Sequence, residues 1–333
     1  MTPPASNSNS VPVETSTPRS DAVVASSIEP GLASAENAAS QRTANIAATD
    51  LRVSIFCIPK PFSGHTGLIQ RNAIGSWLNL GPRVEVLIGG DDEGVADAAR
   101  ELGAEHLGKL DRSPQGTPRL DHLFEQAHAR ATGDLMMYVN ADILLFPDLL
   151  AAVDQLQQSG ATDYLAIGRR LDLDVEQPLS YADPRWMSEF LTQATRRGKV
   201  APAVCKDYFL FPRTLYRELP EFLVGRGNWD NWMVHQAKWS RVPVIDVTRL
   251  VSAIHQNHDY GHLKRGRLEA YVTGDEARHN ERVGGGKHVV SGATADWEFV
   301  DGRLKRRFGN DWLRFAGDLP RFLGLLGSFL TRR

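Results

Sequence analysis

The tripeptide Asn140-Ala141-Asp142 follows a continuous apolar run and precedes a helix that we expect to begin near Pro147. A carboxylate at the end of a strand can bind Mg²⁺ or Mn²⁺, and one or two carboxylates are enough when phosphate oxygens complete the coordination shell. Such an ion neutralises the charge that builds on a departing diphosphate. Asp142 is therefore a candidate metal ligand, although an aspartate that only braces the following loop would give the same short pattern.

A second polar cluster follows an apolar run further along the chain and contains His255, His258, Asp259 and His262. A turn alone does not require four polar side chains of this kind. We assign His258 as a candidate metal ligand, and an imidazole suits Mn²⁺ better than Mg²⁺. Two alternatives stay open. One is a zinc site built from these histidines, although their spacing matches no standard zinc pattern. The other is a hydrogen-bonded loop without a ligand.

Asp230 lies at the predicted start of a helix, after a glycine-containing segment and between Trp229 and Trp232. A carboxylate in this place can act as the general base that takes the proton of an acceptor hydroxyl. The two indoles offer flat apolar faces against which a sugar ring can stack, and we assign them to acceptor binding. In the alternative interpretation Asp230 is an ordinary helix cap and both tryptophans belong to the core.

Two further charged features stand beside apolar runs. Asp207 is an isolated charge that enters the run Tyr208–Phe211, and we assign it to acceptor binding. Arg169 and Arg170 stand close to two aspartates, Asp172 and Asp174. An arginine here can hold a phosphate through two parallel hydrogen bonds, but mutual salt bridges within the cluster are the alternative that we favour.

Alternating apolar runs and amphipathic segments must position these residues. The apolar runs 53–58, 84–88 and 135–139 are predicted strands, and segments 66–80, 93–102 and 119–131 have helical spacing. This order predicts an α/β fold with a mostly parallel, right-handed sheet flanked by helices. The second half is less regular. Ligands of such sheets bind beyond the carboxyl ends of the strands, so we expect segments 59–65, 89–93 and 140–142 to converge on one crevice.

Composition narrows the class of protein. The chain has 333 residues, of which 42% are hydrophobic and 23% charged, with a formal net charge of -2, which argues against nucleic acid as a partner. Two cysteines make no disulfide framework, so the cytoplasm is the default compartment. Residues 1–50 contain no aromatic side chain and are predicted to be a disordered tail. Residues 311–333 are predicted to form an amphipathic segment that either packs on the domain or makes peripheral contact with a membrane.

Taken in order, several fragments resemble GT-A-fold glycosyltransferases of the family-two-like kind, within the nucleotide-diphospho-sugar transferase superfamily. The resemblance runs from about Val53 to His288, and no fragment is specific alone. The fragments are 59–62 with 70–74, 90–94, 138–143, 207–209, 229–232 and 254–258. The resemblance implies one domain over 51–310, with a nucleotide-sugar half over 51–160 and an acceptor half over 161–310.

The resemblance also implies roles for matching positions. Pro59, Asp91 and Asp92 lie where such enzymes hold the base and ribose, and Asn140-Ala141-Asp142 occupies the place of the Asp-x-Asp motif. Asp230 matches the catalytic base of inverting members, and His258 matches a histidine that completes the metal shell in some members. The implied reaction moves a hexose or related sugar from a nucleoside-diphosphate donor to a glycan or lipid-linked acceptor, as in polysaccharide biosynthesis.

The sequence departs from the motif at its first position, where Asn140 replaces the usual aspartate. An amide can still hydrogen-bond a ribose hydroxyl, but the lost charge should weaken metal binding. Two alternatives are a nucleotidyltransferase on a similar scaffold and a catalytically lapsed glycan-binding protein. The first is disfavoured because segment 59–65 is poor in glycine, and the second is supported by Asn140.

Overall fold

The computed structural model describes residues 50–181, 185–258, 270, 273–288 and 294–307. The predicted tail (apart from Asp50), the predicted C-terminal segment 311–333, and the candidates Asp259 and His262 lie outside the described residues. The helices are α1 Gly64–Leu78, α2 Val95–Leu102, α3 Leu120–Arg130, α4 Asp148–Gln158, α5 Trp186–Arg197, α6 Trp229–Trp239 and α7 Asp275–Val283. The strands are β1 Val53–Cys57, β2 Val84–Gly89, β3 Glu105–Gly108, β4 Leu135–Val139, β5 Ile143–Leu145, β6 Leu165–Ile167, β7 Leu171–Leu173, β8 Lys199–Val200, β9 Tyr208–Pro212, β10 Val244–Asp246, β11 Ala253–Gln256, β12 Trp297–Val300 and β13 Arg303–Arg306.

Nine of these strands form one sheet in the order β13-β12-β10-β6-β9-β4-β1-β2-β3. Strand β1 lies between β2 and β4 and is parallel to both, and β10 is parallel to β6 and β12. Strand β9 is antiparallel to β4 and β6 and joins the two parallel groups. The predicted α/β fold with a mostly parallel sheet is confirmed, and strands from both halves of the chain contribute to this one sheet.

Helices cover both faces of the sheet because its central strands are apolar on both sides. Alternate residues of β1 point in opposite directions, so Ile55 and Cys57 join one buried cluster and Phe56 joins the other. The first cluster contains the apolar faces of α1, α2 and α4. The second contains those of α3 and α6. The resulting three layers leave the carboxyl ends of β1, β2 and β4 at one edge.

A second, four-stranded sheet stands beside this edge in the order β5-β11-β7-β8. Strand β11 is antiparallel to β5 and parallel to β7, and the register sets His255 opposite Ile143 on one side and Asp172 on the other. The small sheet therefore brings the segment after Asp142 and the histidine segment together. Among the helices of the described residues, none is both long and apolar enough to span a bilayer.

Candidate metal centre

The loops that follow β1, β2 and β4 lie at the same edge of the sheet, because these three strands are parallel neighbours. The loops after β1 and β2 are joined because the backbone N–H of Phe62 donates to the carbonyl of Glu93 at 2.9 Å. The side chain of Gln70 holds the β1 loop from the other side, accepting from the N–H of Lys60 at 2.6 Å and donating to its carbonyl at 2.9 Å. Pro59 is buried at the start of this loop. The β1 loop is thus held against the β2 loop on one side and against α1 on the other.

Asp142 stands with two histidines at the β4 end of the crevice. Its Oδ2 atom lies 3.0 Å from Nε2 of His258 and 3.7 Å from Nε2 of His255. One possible ligand atom from each of the three residues lies within 4.8 Å of the other two. Two ligands of one ion with bonds of about 2.1 Å lie roughly 3–4 Å apart, so this spacing suits one divalent cation.

The electrostatics of Asp142 also suit a cation. Burial opposes ionisation of this carboxyl, but the hydrogen bond with His258 and the charges of His255, His258 and Arg170 outweigh it and hold its pKa at about 2. Its Oδ1 atom is buried and has no hydrogen-bond partner among the described residues. An ionised, buried carboxylate oxygen without a partner is costly unless something cationic reaches it. The donor set of one carboxylate and two imidazoles therefore fits a divalent transition-metal ion.

Asn140, the first residue of the tripeptide, is held by two hydrogen bonds to Asp207. Its Nδ2 donates to Oδ1 of Asp207 at 2.9 Å, and its backbone N–H donates to the carbonyl of Asp207 at 2.9 Å. The guanidinium of Arg170 pairs with the same Asp207 oxygen. Burial raises the pKa of the Asp207 carboxyl, and Arg170 opposes that rise. Asp207 thus supports the side chain and backbone of Asn140. These contacts favour a positioning role for Asp207 over the role in acceptor binding that we assign from the sequence.

The two aspartates that follow β2, Asp91 and Asp92, both pair with Arg112. Nη2 of Arg112 lies 2.7 Å from Oδ1 of Asp91 and 3.1 Å from Oδ2 of Asp92. The hydrogen bond from Arg112 holds the pKa of Asp91 below its usual range. A cavity of about 280 Å³ is lined in part by Arg112, Glu221 and His279. The described residues that line this cavity include no member of the Asp142, His255 and His258 cluster.

Asp230 is half-buried in the first turn of α6. Its Oδ2 lies 3.2 Å from Nζ of Lys206, whose side chain is only 1% exposed. Lys206 also donates to Oδ1 of Asn231 at 2.9 Å. Because Lys206 precedes Asp207 in the chain, this segment ties the start of α6 to the Asn140 end of the crevice. Asp230 is therefore presented on the same edge of the sheet as the metal candidates.

The two tryptophans beside Asp230 lie in the core. Trp229 is 5% exposed and packs edge-on against Tyr138 with ring centroids 5.1 Å apart. Trp232 is 9% exposed and packs against Phe222 at 5.3 Å. These contacts occupy the rings that an acceptor sugar would need. The geometry favours the alternative interpretation of the sequence, in which both indoles support the helix that carries Asp230.

The chain is similar to several solved structures, at low sequence identity. No family model matches the chain, and no curated protein matches it. The chain is similar to a glucosyl-3-phosphoglycerate synthase from M. tuberculosis, with 15% identity, a TM-score of 0.41, and coverage of 69% of this chain and 78% of that one. It is also similar to the mannosyltransferase PcManGT from Pyrobaculum calidifontis in complex with GDP-Man and Mn²⁺, with 14% identity, a TM-score of 0.40, and coverage of 63% and 59%. A third is S. aureus TarS 1-349 in complex with UDP-GlcNAc, with 12% identity, a TM-score of 0.42, and coverage of 70% and 65%.

Two residues of the centre were not assigned from the sequence. His255 is one of three histidines in its segment, and no sequence pattern favours it as a ligand. Arg170 was recognised within a charged cluster, where its predicted salt bridge with Asp172 is present at 2.8 Å. The phosphate role considered for Arg169 loses support, because its guanidinium donates to the carbonyl of Ala201 at 2.7 and 2.8 Å. The pairing of His255 with Asp172 depends on the register of β11 against β7. Spacing along the chain does not reveal this register.

Proposed function

We propose that this protein is a metal-dependent glycosyltransferase that moves a sugar from a nucleoside-diphosphate donor to a hydroxyl acceptor. The observation that carries the proposal is the cluster of Asp142, which follows β4, with His255 and His258. One buried oxygen of Asp142 has no hydrogen-bond partner among the described residues. Oxygen and imidazole ligands with open positions are what a cation needs to bridge a diphosphate.

The donor would lie along the crevice formed by the three loops. Asp142 and His258 would hold Mn²⁺ or Mg²⁺, which when bound supplies positive charge to the leaving diphosphate. The β1 and β2 loops would hold the nucleoside, with Pro59 as a wall and with Asp91 and Asp92 near the ribose. Asn140 would offer its amide oxygen to a ribose hydroxyl, because its Nδ2 already donates to Asp207.

The acceptor would approach from the α6 side. Asp230 lies at the start of that helix on the same edge of the sheet and would take the proton of the attacking hydroxyl. Attack by the acceptor oxygen on the anomeric carbon, with departure of the nucleoside diphosphate, is then a single displacement that inverts the anomeric configuration. A hexose donor, a glycan or lipid-linked acceptor, and a cytoplasmic location with peripheral membrane contact are parts of this proposal.

The first test is a thermal-shift screen of nucleoside diphosphates with and without Mn²⁺, since a ligand of the folded state raises the melting temperature. We expect stabilisation by one nucleotide only when Mn²⁺ is present. Donor hydrolysis and transfer are then measured over a panel of UDP- and GDP-sugars. A chain that neither binds nor turns over any donor with Mn²⁺ contradicts the proposal.

Variants sharpen this test. Asp142→Asn removes the charge but keeps the shape of the side chain, and we expect loss of both the Mn²⁺-dependent shift and turnover. Asp163→Asn, at an exposed position, is the matched control and should behave as the wild type. Release of pyrophosphate in place of a nucleoside diphosphate would select a nucleotidyltransferase. Glycan binding that is indifferent to EDTA, without turnover, would select the lapsed binding protein.

A further inference from the structure

His255 is placed by the small sheet with little freedom to move. In β11 it stands opposite Ile143 of β5 and opposite Asp172 of β7. The neighbouring backbone is fixed on both sides, because Gln256 N–H donates to the carbonyl of Asp142 at 3.1 Å and Asn257 N–H donates to that of Leu173 at 2.9 Å. The His255 side chain is 9% exposed. A residue paired across two strands points its side chain in a fixed direction.

The two nitrogens of the His255 ring face different carboxylates. Nε2 lies 3.7 Å from Oδ2 of Asp142, on the side of His258. Nδ1 lies 3.1 Å from Oδ1 of Asp172, close enough for an ion pair but without the alignment of a hydrogen bond. A carboxylate beside one ring nitrogen favours a proton there and leaves the lone pair of the other nitrogen free for a cation.

Asp172 is itself held in place by a partly buried arginine, Arg170. Nε of Arg170 donates to Oδ1 of Asp172 at 2.8 Å, the same oxygen that faces His255. The guanidinium of Arg170 also pairs with Asp207, and its side chain is only 11% exposed. A chain of contacts therefore runs from Asp207 through Arg170 and Asp172 to His255. None of these contacts requires the acceptor or the nucleotide.

We propose that His255 is a third protein ligand of the metal ion and that Asp172 is its positioning residue, directing Nε2 of His255 toward Asp142. This inference rests on the metal site of the proposed function and deepens it. The complete donor set is one carboxylate and two imidazoles, which leaves positions for diphosphate oxygens. Imidazole ligands favour transition metals over Mg²⁺, so the site should select Mn²⁺ or Co²⁺ over Mg²⁺.

The first test measures binding of the metal alone to the full chain, by calorimetric titration with Mn²⁺ and with Mg²⁺. Loss of a carboxylate that orients a metal-bound histidine typically weakens metal binding about 10–100-fold, and we expect Asp172→Asn to do so for Mn²⁺. Asp174→Asn is the matched control, since Asp174 lies two residues away, is exposed and is held by Asn257. It should leave the affinity unchanged. His255→Gln should reduce the preference for Mn²⁺ over Mg²⁺.

The second test counts imidazole ligands directly. Electron spin echo modulation of bound Mn²⁺ reports coordinated ¹⁴N, and we expect two histidine nitrogens in the wild type and one in His255→Gln. Melting temperatures of all variants check that each is folded. If the wild type binds Mn²⁺ but one nitrogen is coordinated, or if Asp172→Asn binds as tightly as Asp174→Asn, this inference is overturned while the proposed function stands. A wild-type chain that binds no divalent ion overturns both.

Discussion

The side-chain amide of Asn140 donates a hydrogen bond to the carboxylate of Asp207, with 2.9 Å between Nδ2 and Oδ1. Asp207 is 7% exposed, and its second oxygen has no hydrogen-bond partner among the described residues. An aspartate in place of Asn140 would set two carboxylates against each other in a buried position, with Asp142 close by. This environment therefore requires a side-chain amide at position 140. The oxygen of that amide stays available to accept a hydrogen bond.

Restoring the usual aspartate should therefore harm the protein. Asn140→Asp removes the donor to a buried acceptor, which costs about 1–3 kcal/mol, and adds like-charge repulsion. We expect the melting temperature to fall by about 3–10 °C and donor turnover to drop, not rise. Differential scanning calorimetry and donor hydrolysis at saturating Mn²⁺ measure the two effects.

A double variant provides the control for this substitution. Asn140→Asp with Asp207→Asn exchanges the two side chains and keeps one donor facing one acceptor. We expect it to recover part of the lost stability, with a coupling free energy of about 0.5–3 kcal/mol in the cycle. Higher turnover or tighter Mn²⁺ binding in the single Asn140→Asp variant would show that the lost charge matters more than the pairing.

Helix α6 carries three tryptophans that offer a matched set. Trp229 and Trp232 are buried, whereas Trp239 is 62% exposed. Replacing a buried tryptophan by alanine costs about 3–5 kcal/mol, and we expect this loss for Trp229→Ala and Trp232→Ala in urea unfolding. Trp239→Ala should stay within about 0.5 kcal/mol of the wild type. Normal stability with lost glycan binding in Trp229→Ala would instead assign this ring to the acceptor.

The parallel half of the fold was predictable because its strands carry long apolar runs. Strands β1, β2 and β4 are buried over most of their length, and runs of that kind mark strands buried on both faces. Strands β5 and β7 were not predicted, since each has three residues, too few for a period to show. Helix α5 was also missed. Its apolar residues do recur at helical spacing and contribute to one buried cluster, and they are Trp186, Met187, Phe190, Leu191 and Ala194.

The candidate site also contains some residues that the sequence identifies and others that only the structure reveals. Asp142 and His258 were assigned from the sequence because each follows an apolar run, and the structure brings them to 3.0 Å. His255 was not distinguished from its neighbours, because its role depends on strand register and not on spacing along the chain. The buttress of Asn140 by Asp207 joins residues 67 positions apart, and no local pattern encodes such a pairing.

Asp148 gives the protein a pH-dependent stability outside the candidate site. This residue opens α4. Its Oδ2 accepts from the N–H of Ser252 at 2.9 Å, and its Oδ1 has no hydrogen-bond partner among the described residues. Burial raises its pKa to about 6. The folded state therefore keeps a proton that the unfolded chain has already lost at about pH 4, so the free energy of unfolding should fall as pH rises from about 4 to 6.

Asp148→Asn should remove this contribution. The amide oxygen can still accept from Ser252, and no charge is buried at any pH. We expect the variant to match the wild type near pH 4 and to be more stable by about 3 kcal/mol above pH 6, as two pKa units imply. Urea unfolding at a series of pH values measures the difference, with the exposed Asp163→Asn as control. A constant difference between Asp148→Asn and the wild type across this range would contradict the assignment.

Replacement of Asp230 by asparagine separates chemistry from binding. Loss of a general base costs about 10²–10⁴ in rate, so we expect kcat to fall by that factor while Mn²⁺ and nucleotide affinities stay unchanged. Lys206 keeps its contact with Asn231 at 2.9 Å but loses the charge of Asp230 at 3.2 Å, so stability should fall modestly. Asp163→Asn, at an exposed position, is the control and should retain the wild-type kcat. If Asp230→Asn turns over at the wild-type rate, another group takes the proton of the acceptor.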